Sequence, residues 1–469
     1  MWTVKADYDK IRVAMMYSGG KERLWGCYRA QTGDHPLAGY AGSKIDVAGF
    51  AKDIEGFEEE VKKITSAEIL DPKVLLQETL EFWRGDRKGL KKVVSTCFHE
   101  NDWLRVEKLL GDSWMDLTAG EIFGEKCPVS KDGTGFKIGI RPAKKIVMAN
   151  DLGHMTSEGF IISHRASWAM SREDRIMKSI VENHPKFVEN SHVLPELEYP
   201  AFMSGGDVTA PSDDTMAVGV RSNTNREAAI EVSKALPEKT VYAVLKYPEE
   251  LGGGWVRHYG EHLNFMFSML DEGKALVAPY VFDYPEGSKK TLMSMLKALS
   301  DDIYRWDPVR LESYMRPERW AKIPEKLRPK VMAKEYGSFL KERVDAFKDV
   351  GKVEIFKNGK SIDKKDSFLQ ALIDDGVLDP DGIIYVGGDP EDVDYRNEFQ
   401  YFVTAIREGT HACSVATIKP GTVIAYHHML KTNEALEDAG INVVKLDGRY
   451  AELLTDAGFG NLLLSLWRK

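Results

Sequence analysis

The chain has 469 residues, of which 43% are hydrophobic and 29% charged, a balance typical of folded globular proteins rather than disordered ones. The formal net charge is −9, and no basic cluster indicates a nucleic-acid partner. No long uncharged apolar run predicts a membrane span, and charges interrupt the N-terminal segment, so no signal peptide is predicted. Four widely spaced cysteines, without a Cys-x-x-Cys pair, favour reduced thiols in a cytoplasmic protein.

The first predicted elements are a buried strand over residues 11–17 and a charged helix over 48–64. Apolar residues in this helix recur every three to four positions, so one face should pack on a sheet. Residues 71–140 change character, because helix-period segments follow one another from Asp71-Pro72, a typical helix start. This region is predicted to be a helical insertion.

From about residue 141 the sequence alternates between short strands and helices, which favours an α/β fold. A representative helix is predicted over 225–236, and residues 286–350 predict a second, mostly helical insertion. The strand candidates are "KIVMAND" (145–151), "GFIISH" (159–164), "TMAVGVRS" (215–222), "TVYAVLKY" (240–247), "NFMFSML" (264–270), "ALVAPYVF" (275–282), "GIIYVGG" (382–388), "SVATIKPGTVIAY" (414–426) and "NVVKLD" (442–447).

The order of the motifs carries a resemblance. In chain order they are "ANDLGHM", "FMSGGDVTAPSDDTMAVGVRSNTNREA", "GEHLNFMFSMLDEGKALVAPYVF", "EGTHACSVATIKPGTVIAYHHMLKTNEALEDAGINVVKL" and "GFGNLLLSL". This series resembles the arginine deiminase and amidinotransferase superfamily. The resemblance implies a five-bladed α/β propeller, the pentein fold, built from residues 1–70 and 141–469 around a central active site. It also implies that Gly205 and Gly206 supply unusual backbone dihedrals at a sharp turn, with Asp207 holding that turn more than doing chemistry.

The family's catalytic set is incomplete here. By the resemblance, Asp151 falls on a guanidinium-binding aspartate and His262 on the catalytic histidine. Ser204 stands in place of a glutamate and Asn264 in place of an aspartate, which leaves a cationic guanidinium poorly neutralised. At the tail, Leu463 occupies the position of the nucleophilic cysteine. The family's carboxylate-binding arginine is also missing near Gly458, so arginine deiminase activity is not expected.

Three substitutes for the lost chemistry stay open. Arg165 would bind an anion, or would be an exposed residue at a strand end. Cys413 would act as the nucleophile, activated by His411 or His262. A divalent transition metal would replace the thiolate, with ligands drawn from Asp151, His154, His258, His262 and Cys413.

The leading hypothesis needs no cofactor. Asp151 or His262 would act as general base on water, which attacks an electron-poor carbon bearing a nitrogen leaving group, while Ser204, Asn264 and Asp207 shape the substrate site. The substrate would be a small amidine-like or nitrogen heterocyclic compound, including a nitro-substituted one. The alternatives are a guanidine hydrolase that uses Cys413 and an inactive deiminase-like protein that binds a metabolite or partner. A homo-oligomer is expected by the resemblance, and neither nucleic acid nor membrane is an expected partner.

Overall fold

The computed structural model describes most of the chain. The described residues are 1–17, 19, 47–125, 129–132, 135–138, 140, 143, 145–166, 171–221, 223–246, 262–278, 349–388, 408, 411–455 and 457–469. The predicted second insertion over 286–350 falls almost wholly outside them, so it stays a prediction.

Helices and strands alternate along the described part of the chain. The α-helices are α1 (Val47–Thr65), α2 (Pro72–Trp83), α3 (Arg87–Thr96), α4 (Glu100–Leu110), α5 (Ala119–Phe123), α6 (Ser171–Asn183), α7 (Pro185–Asn190), α8 (Arg226–Ala235), α9 (Phe368–Asp374), α10 (Leu430–Asp438) and α11 (Arg449–Thr455). The strands are β1 (Ile11–Met15), β2 (Glu68–Leu70), β3 (Val129–Asp132), β4 (Gly135–Ile138), β5 (Gly153–Met155), β6 (Phe160–Ile162), β7 (Val208–Ser212), β8 (Thr215–Val220), β9 (Thr240–Leu245), β10 (Phe267–Asp271), β11 (Gly273–Val277), β12 (Val353–Lys357), β13 (Lys360–Lys365), β14 (Leu378–Tyr385), β15 (Ala416–Lys419), β16 (Thr422–Tyr426), β17 (Asn442–Leu446) and β18 (Leu464–Arg468). The predicted mixed α/β class is confirmed.

The first helices form as their sequences dictate. In α1 the residues that face the core are Phe50, Ile54, Phe57 and Val61, which recur at three- to four-residue spacing and are almost fully buried. Asp71 caps α2 by accepting hydrogen bonds from the backbone N–H groups of Lys73 and Val74, as the Asp-Pro pair predicts. Helices α2 to α5 follow in succession, and the hairpin of β3 and β4 comes after them, so the region to residue 140 is not wholly helical.

One pairing pattern recurs five times in the described strands. In each case two antiparallel strands pair, through the second of them, with a third strand that runs parallel to it. The sets are β7–β8–β9, β10–β11–β14, β15–β16–β17, β18–β1–β2, and β5–β6 with a parallel bridge from Phe160 to Val193. A helix precedes the third strand in every set, so each set combines an antiparallel strand pair, a helix and a parallel strand.

The first strands of the five units line one cavity. Each of them contributes a side chain to its wall: His154 from β5, Thr209 from β7, Met269 from β10, Thr417 from β15 and Arg468 from β18. Four of these strands are preceded by short 3-10 turns, Ala149–Leu152, Gly205–Asp207, Leu263–Phe265 and Phe459–Leu462, and the second contacts both the first and the third. The segment 145–151 was predicted to be a strand; it forms a turn and the first of these 3-10 helices instead.

Strands β12 and β13 extend the β7–β9 sheet to five strands, and neither is among the predicted strands. Asn358-Gly359 joins them with positive φ angles of 48° and 72°, the conformation that an Asn-Gly hairpin turn favours. The Asn-Gly dipeptide is the sequence feature from which this hairpin could have been predicted. Charged side chains on β13, which is an edge strand, obscure the usual alternation of apolar and polar residues.

No helix within the described residues is both long enough and apolar enough to span a lipid bilayer.

Candidate functional site

The Gly-Gly-Asp turn is held by its aspartate. Asp207 is fully buried, and its carboxylate oxygens accept hydrogen bonds from Lys246 Nζ at 2.5 Å, the Leu263 backbone N–H at 2.9 Å and Thr224 Oγ1 at 2.6 Å. Burial raises the pKa of Asp207, but the charge of Lys246 and the neighbouring His262 lower it by more, so the pKa lies below its ordinary value. Asp207 is therefore ionised at neutral pH and fastens one central turn to the next.

The two glycines are needed for space rather than for unusual dihedrals. A Cβ on Gly205 would lie 2.1 Å from the carbonyl oxygen of Asn150, and one on Gly206 would lie 2.6 Å from Oδ1 of Asp151. Neither glycine has a positive φ, so the expectation of special backbone dihedrals is wrong. The glycines let the backbone approach the neighbouring turn and the side chains on it.

His262 lies between two carboxylates. Its Nε2 is 3.6 Å from Oδ1 of Asp151, and its Nδ1 is 3.7 Å from Oδ2 of Asp207. All three side chains are buried. Oδ1 of Asp151 accepts no hydrogen bond from the described residues. The structure thus brings together Asp151 and His262, the two residues predicted to carry acid–base chemistry, and adds Asp207 to them.

Ser163 links the turn that contains Asp151 to the turn that contains Gly205 and Asp207. Ser163 Oγ donates a hydrogen bond to the backbone carbonyl of Asp151 at 2.6 Å and accepts one from the Gly205 N–H at 2.9 Å. Ser204, the predicted substrate contact, is buried, and its hydroxyl has no hydrogen-bond partner within the described residues. Its own backbone N–H donates to Thr224 Oγ1 at 3.1 Å.

Asn264 meets a second amide that the sequence analysis did not single out. Its Nδ2 donates a hydrogen bond to Oδ1 of Asn461, in the tail motif "GFGN". Oδ1 of Asn264 and Nδ2 of Asn461 have no hydrogen-bond partner among the described residues. A neutral amide pair therefore stands beside the position where the family carries an aspartate. Asn461 could have been recognised from the sequence as the polar residue of the Gly-rich tail motif.

Arg165 does not match either prediction for it. It is buried, its Nε and Nη2 each lie 2.7 Å from Oδ1 of Asp174, and its backbone N–H donates to Oδ2 of the same residue. Glu173 lies 3.9 Å from the guanidinium. Burial raises the pKa of Asp174 to about 6, although Arg165 opposes that rise. The guanidinium is engaged by helix α6, so Arg165 is neither exposed nor an evident anion site.

Cys413 lacks the surroundings of a nucleophile. It is fully buried, and its Sγ donates to the carbonyl oxygen of Leu276 at 3.5 Å. Burial raises the pKa of the thiol well above its ordinary range, whereas a nucleophilic cysteine needs a lowered pKa. His411 Nδ1 lies 2.7 Å from Oε1 of Glu452, so that nitrogen is engaged elsewhere.

We expect the peptide that contains Cys413 to remain unmodified when the folded protein is treated with iodoacetamide, because the neutral buried thiol is unreactive. The same peptide should be alkylated after denaturation, which serves as the control. Peptide mass spectrometry measures both states. Rapid alkylation of Cys413 in the folded protein, prevented by a substrate, would restore its role as a nucleophile.

The metal-ligand candidates that lie within the described residues do not form a cluster of three. No group of three or more histidine, cysteine, aspartate or glutamate side chains in the described part of the chain could hold a metal ion. His154 lies beside Asp7, with Nε2 3.9 Å from Oδ1, rather than beside Cys413. His258 lies outside the described residues.

These features define a mixed α/β protein with a buried Asp–His–Asp arrangement where three of its 3-10 turns meet. Residues 134–302 match the arginine deiminase family model. The chain is 26% identical over 158 residues to an arginine deiminase of Latilactobacillus sakei, covering 32% of this chain and 36% of that protein. It is 23% identical over 331 residues to the arginine deiminase of Metamycoplasma hominis, covering 69% of this chain and 60% of that one.

A solved structure, the inosamine-phosphate amidinotransferase of Streptomyces griseus, superposes over 100% of this chain and 97% of its own with a TM-score of 0.45 and 10% identity. Residues 134–302 are therefore similar in sequence to arginine deiminases, and no cysteine follows Cys413 in this chain. The aligned region spans little more than a third of the Latilactobacillus protein.

Proposed function

We propose that this protein hydrolyses a C–N bond of a small amidine-like or nitrogen heterocyclic compound by direct attack of water. The observation that carries the proposal is the buried imidazole of His262, held between Asp151 and Asp207. A histidine flanked by carboxylates is suited to accept a proton, because the charge that it acquires is stabilised on both sides.

The geometry supports a reaction in which Asp151 helps to hold a water molecule and His262 accepts its proton. One water molecule can contact both His262 Nε2 and Asp151 Oδ1, since these atoms are 3.6 Å apart. Nε2 would take a proton from that water as its oxygen bonds to the electron-poor carbon. The C–N bond then breaks, and the leaving nitrogen group takes the proton from His262. An amidine would release ammonia, and a nitro-substituted ring would release nitrous acid, present as nitrite at neutral pH.

Asp207 would orient the imidazole rather than contact the substrate. Its oxygens are occupied by Lys246, Thr224 and the Leu263 N–H, and its Oδ2 faces His262 Nδ1. Ser204 and Asn264 would contact the substrate with neutral hydrogen-bonding groups. A neutral substrate fits these groups better than a guanidinium, which would lose water without gaining paired anions.

We also propose that the five repeated units close into a five-bladed propeller. The support is that the first strand of every unit lines the same cavity and that the turns before these strands contact one another. Such an arrangement delivers Asp151, Asp207 and His262 to one central point from three different units.

The test is a release assay on purified protein with a panel of amidines, guanidines and nitroimidazoles, in which ammonia and nitrite are measured. For a compound that is turned over, His262→Gln is expected to lower the rate by about 10²- to 10⁴-fold, the usual contribution of a general base. His427→Ala is the control, because that histidine is about half exposed and lies outside the Asp–His–Asp arrangement. Circular dichroism establishes that both variants are folded.

Three outcomes separate the alternatives. Turnover in H₂¹⁸O with the label in the product and no protein adduct on rapid quenching supports direct water attack. A covalent adduct on Cys413 would establish the guanidine hydrolase that uses a thiol. Absence of any release, together with binding of a panel compound, would establish an inactive binding protein.

A further inference from the structure

Two asparagines join separate turns beside the central cavity. Asn264 lies in the 3-10 turn Leu263–Phe265 and lines the cavity, and Asn461 lies in the turn Phe459–Leu462, next to Gly460, which also lines it. Their side-chain amides are hydrogen-bonded to each other. Asn461 is fully buried and Asn264 is partly buried. The two amides are therefore part of the candidate substrate site.

This pair leaves one acceptor and one donor unused. Oδ1 of Asn264 and Nδ2 of Asn461 are buried and have no hydrogen-bond partner within the described residues. Buried polar atoms usually have partners, so a ligand or an ordered water is expected at both. Each unused atom belongs to an amide whose other polar atom makes the shared hydrogen bond, so one small molecule can contact both.

The unused atoms keep opposite roles when the amides rotate. A rotation of 180° exchanges the oxygen and the nitrogen of an asparagine side chain. If both amides rotate, Asn461 donates to Asn264, and the unused atoms become the nitrogen of Asn264 and the oxygen of Asn461. A hydrogen bond between two amides always engages one oxygen and one nitrogen. The pair therefore presents one donor and one acceptor in either arrangement.

One donor and one acceptor select a neutral ligand edge. A cyclic amide, with a ring N–H next to its carbonyl, offers a donor to Oδ1 of Asn264 and an acceptor to Nδ2 of Asn461. A neutral cyclic amidine, with an amino group next to a ring nitrogen, also offers one of each. A guanidinium or amidinium ion carries donors only, so it would leave the free amide nitrogen buried without an acceptor.

A third polar atom with unused hydrogen-bonding capacity lies beside the same turn. Ser414 is buried and lines the cavity, and its Oγ has no hydrogen-bond partner in the described part of the chain. Its backbone carbonyl accepts from the Gly460 N–H at 2.9 Å, which places Ser414 against the turn that carries Asn461. Phe267 and Leu463 line the cavity with apolar groups. A small uncharged ring would thus contact apolar side chains with its face and neutral polar groups with its edge.

We propose that Asn264 and Asn461 form a recognition pair for the edge of a neutral cyclic amidine and of the cyclic amide made from it. The inference rests on the proposed function, whose substrate it narrows. Addition of water to the amidine carbon and cleavage of its exocyclic C–N bond release ammonia and leave a carbonyl next to a ring N–H. The donor and the acceptor of the ligand edge thereby exchange places, and rotation of both amides matches that exchange.

Isothermal titration of the His262→Gln variant separates recognition from reaction, because this variant keeps both asparagines. The cyclic amide 2-pyrrolidinone is expected to bind. Cyclopentanone, which has the same ring and carbonyl but no N–H, should bind about tenfold or more weakly, since Oδ1 of Asn264 is then left without a donor. Guanidinium should also bind more weakly than 2-pyrrolidinone.

The ligand series gives distinct outcomes. Cyclopentanone or guanidinium binding as tightly as 2-pyrrolidinone would overturn the recognition pair. Absence of 2-pyrrolidinone binding at millimolar concentration would overturn it in favour of a water that bridges the two amides. If the predicted order of binding is observed but the wild type releases neither ammonia nor nitrite from any panel compound, the recognition pair stands and the proposed hydrolysis is wrong.

Two variants locate the binding. In Asn264→Asp and in Asn461→Asp the remaining amide NH₂ donates to the new carboxylate, so only acceptors and a negative charge are left. Each variant should bind 2-pyrrolidinone about tenfold or more weakly and guanidinium more tightly than the unchanged pair does. Asn442→Asp, at an exposed residue of β17, adds the same charge away from the cavity and is the matched control.

Circular dichroism establishes that the aspartate variants are folded, and the ligand series alone decides the matter if they are not. Retention of 2-pyrrolidinone binding in both folded variants would place the ligand elsewhere and overturn the proposal.

Discussion

Replacing Lys246 by methionine is expected to lower the free energy of unfolding by about 3–5 kcal/mol, because it leaves the carboxylate of Asp207 buried without a countercharge. Both members of the pair are 0% exposed, with Nζ 2.5 Å from Oδ1. The retained hydrogen bonds from Thr224 and the Leu263 N–H do not neutralise the charge. Guanidinium chloride unfolding of the wild type and the variant measures the difference.

Two companion variants isolate the cause. Lys5→Met removes a partner from an ion pair of similar length whose side chains are 60% and 46% exposed, and it should leave the free energy of unfolding nearly unchanged because solvent screens that pair. The double variant Lys246→Met with Asp207→Asn should recover part of the loss, since no charge remains buried. A double variant as unstable as Lys246→Met would show that lost packing, rather than the unpaired charge, determines the cost.

The elements that could be predicted from the sequence depend on local patterns. Helix α1 follows from its apolar spacing, α2 from the Asp71-Pro72 start, and most strands from short apolar runs. The pairing of Asp151 with His262 was reached through the family's motif positions, and the structure places these two side chains together. In this case an ordered set of motifs specified a contact between distant residues.

The interactions that were missed depend on partners far along the chain. Lys246 is the second-last residue of an apolar strand candidate, and nothing near it in the sequence shows that its partner is Asp207, 39 residues earlier. The charged start of α6 looks like a solvated surface, yet Arg172, Glu173 and Asp174 are buried and two of them face Arg165. Asp7, His154 and Arg468, which line one cavity, likewise come from three distant segments. Burial of a charge is decided by tertiary packing, which local periodicity does not encode.

Alanine substitutions of Gly205 and Gly206 are expected to have different effects, the first mainly on stability and the second mainly on turnover. Gly205→Ala is expected to destabilise the protein by about 1–3 kcal/mol or more, because its Cβ would meet two backbone oxygens, of Asn150 and Gly153, that have no room to move.

Gly206→Ala should cost less stability but disturb chemistry, because its Cβ would press on the side chains of Asp151 and His262 at 2.6 Å and 3.0 Å, and side chains can yield. The paired measurement is denaturant unfolding of both variants with turnover of a substrate found in the release assay. If the two variants lost the same free energy of unfolding and had the same turnover, the prediction of different roles for Gly205 and Gly206 would be wrong. The predicted contrast would mean that Gly205 fixes the contact between turns, whereas Gly206 keeps the space in which the carboxylate and the imidazole meet.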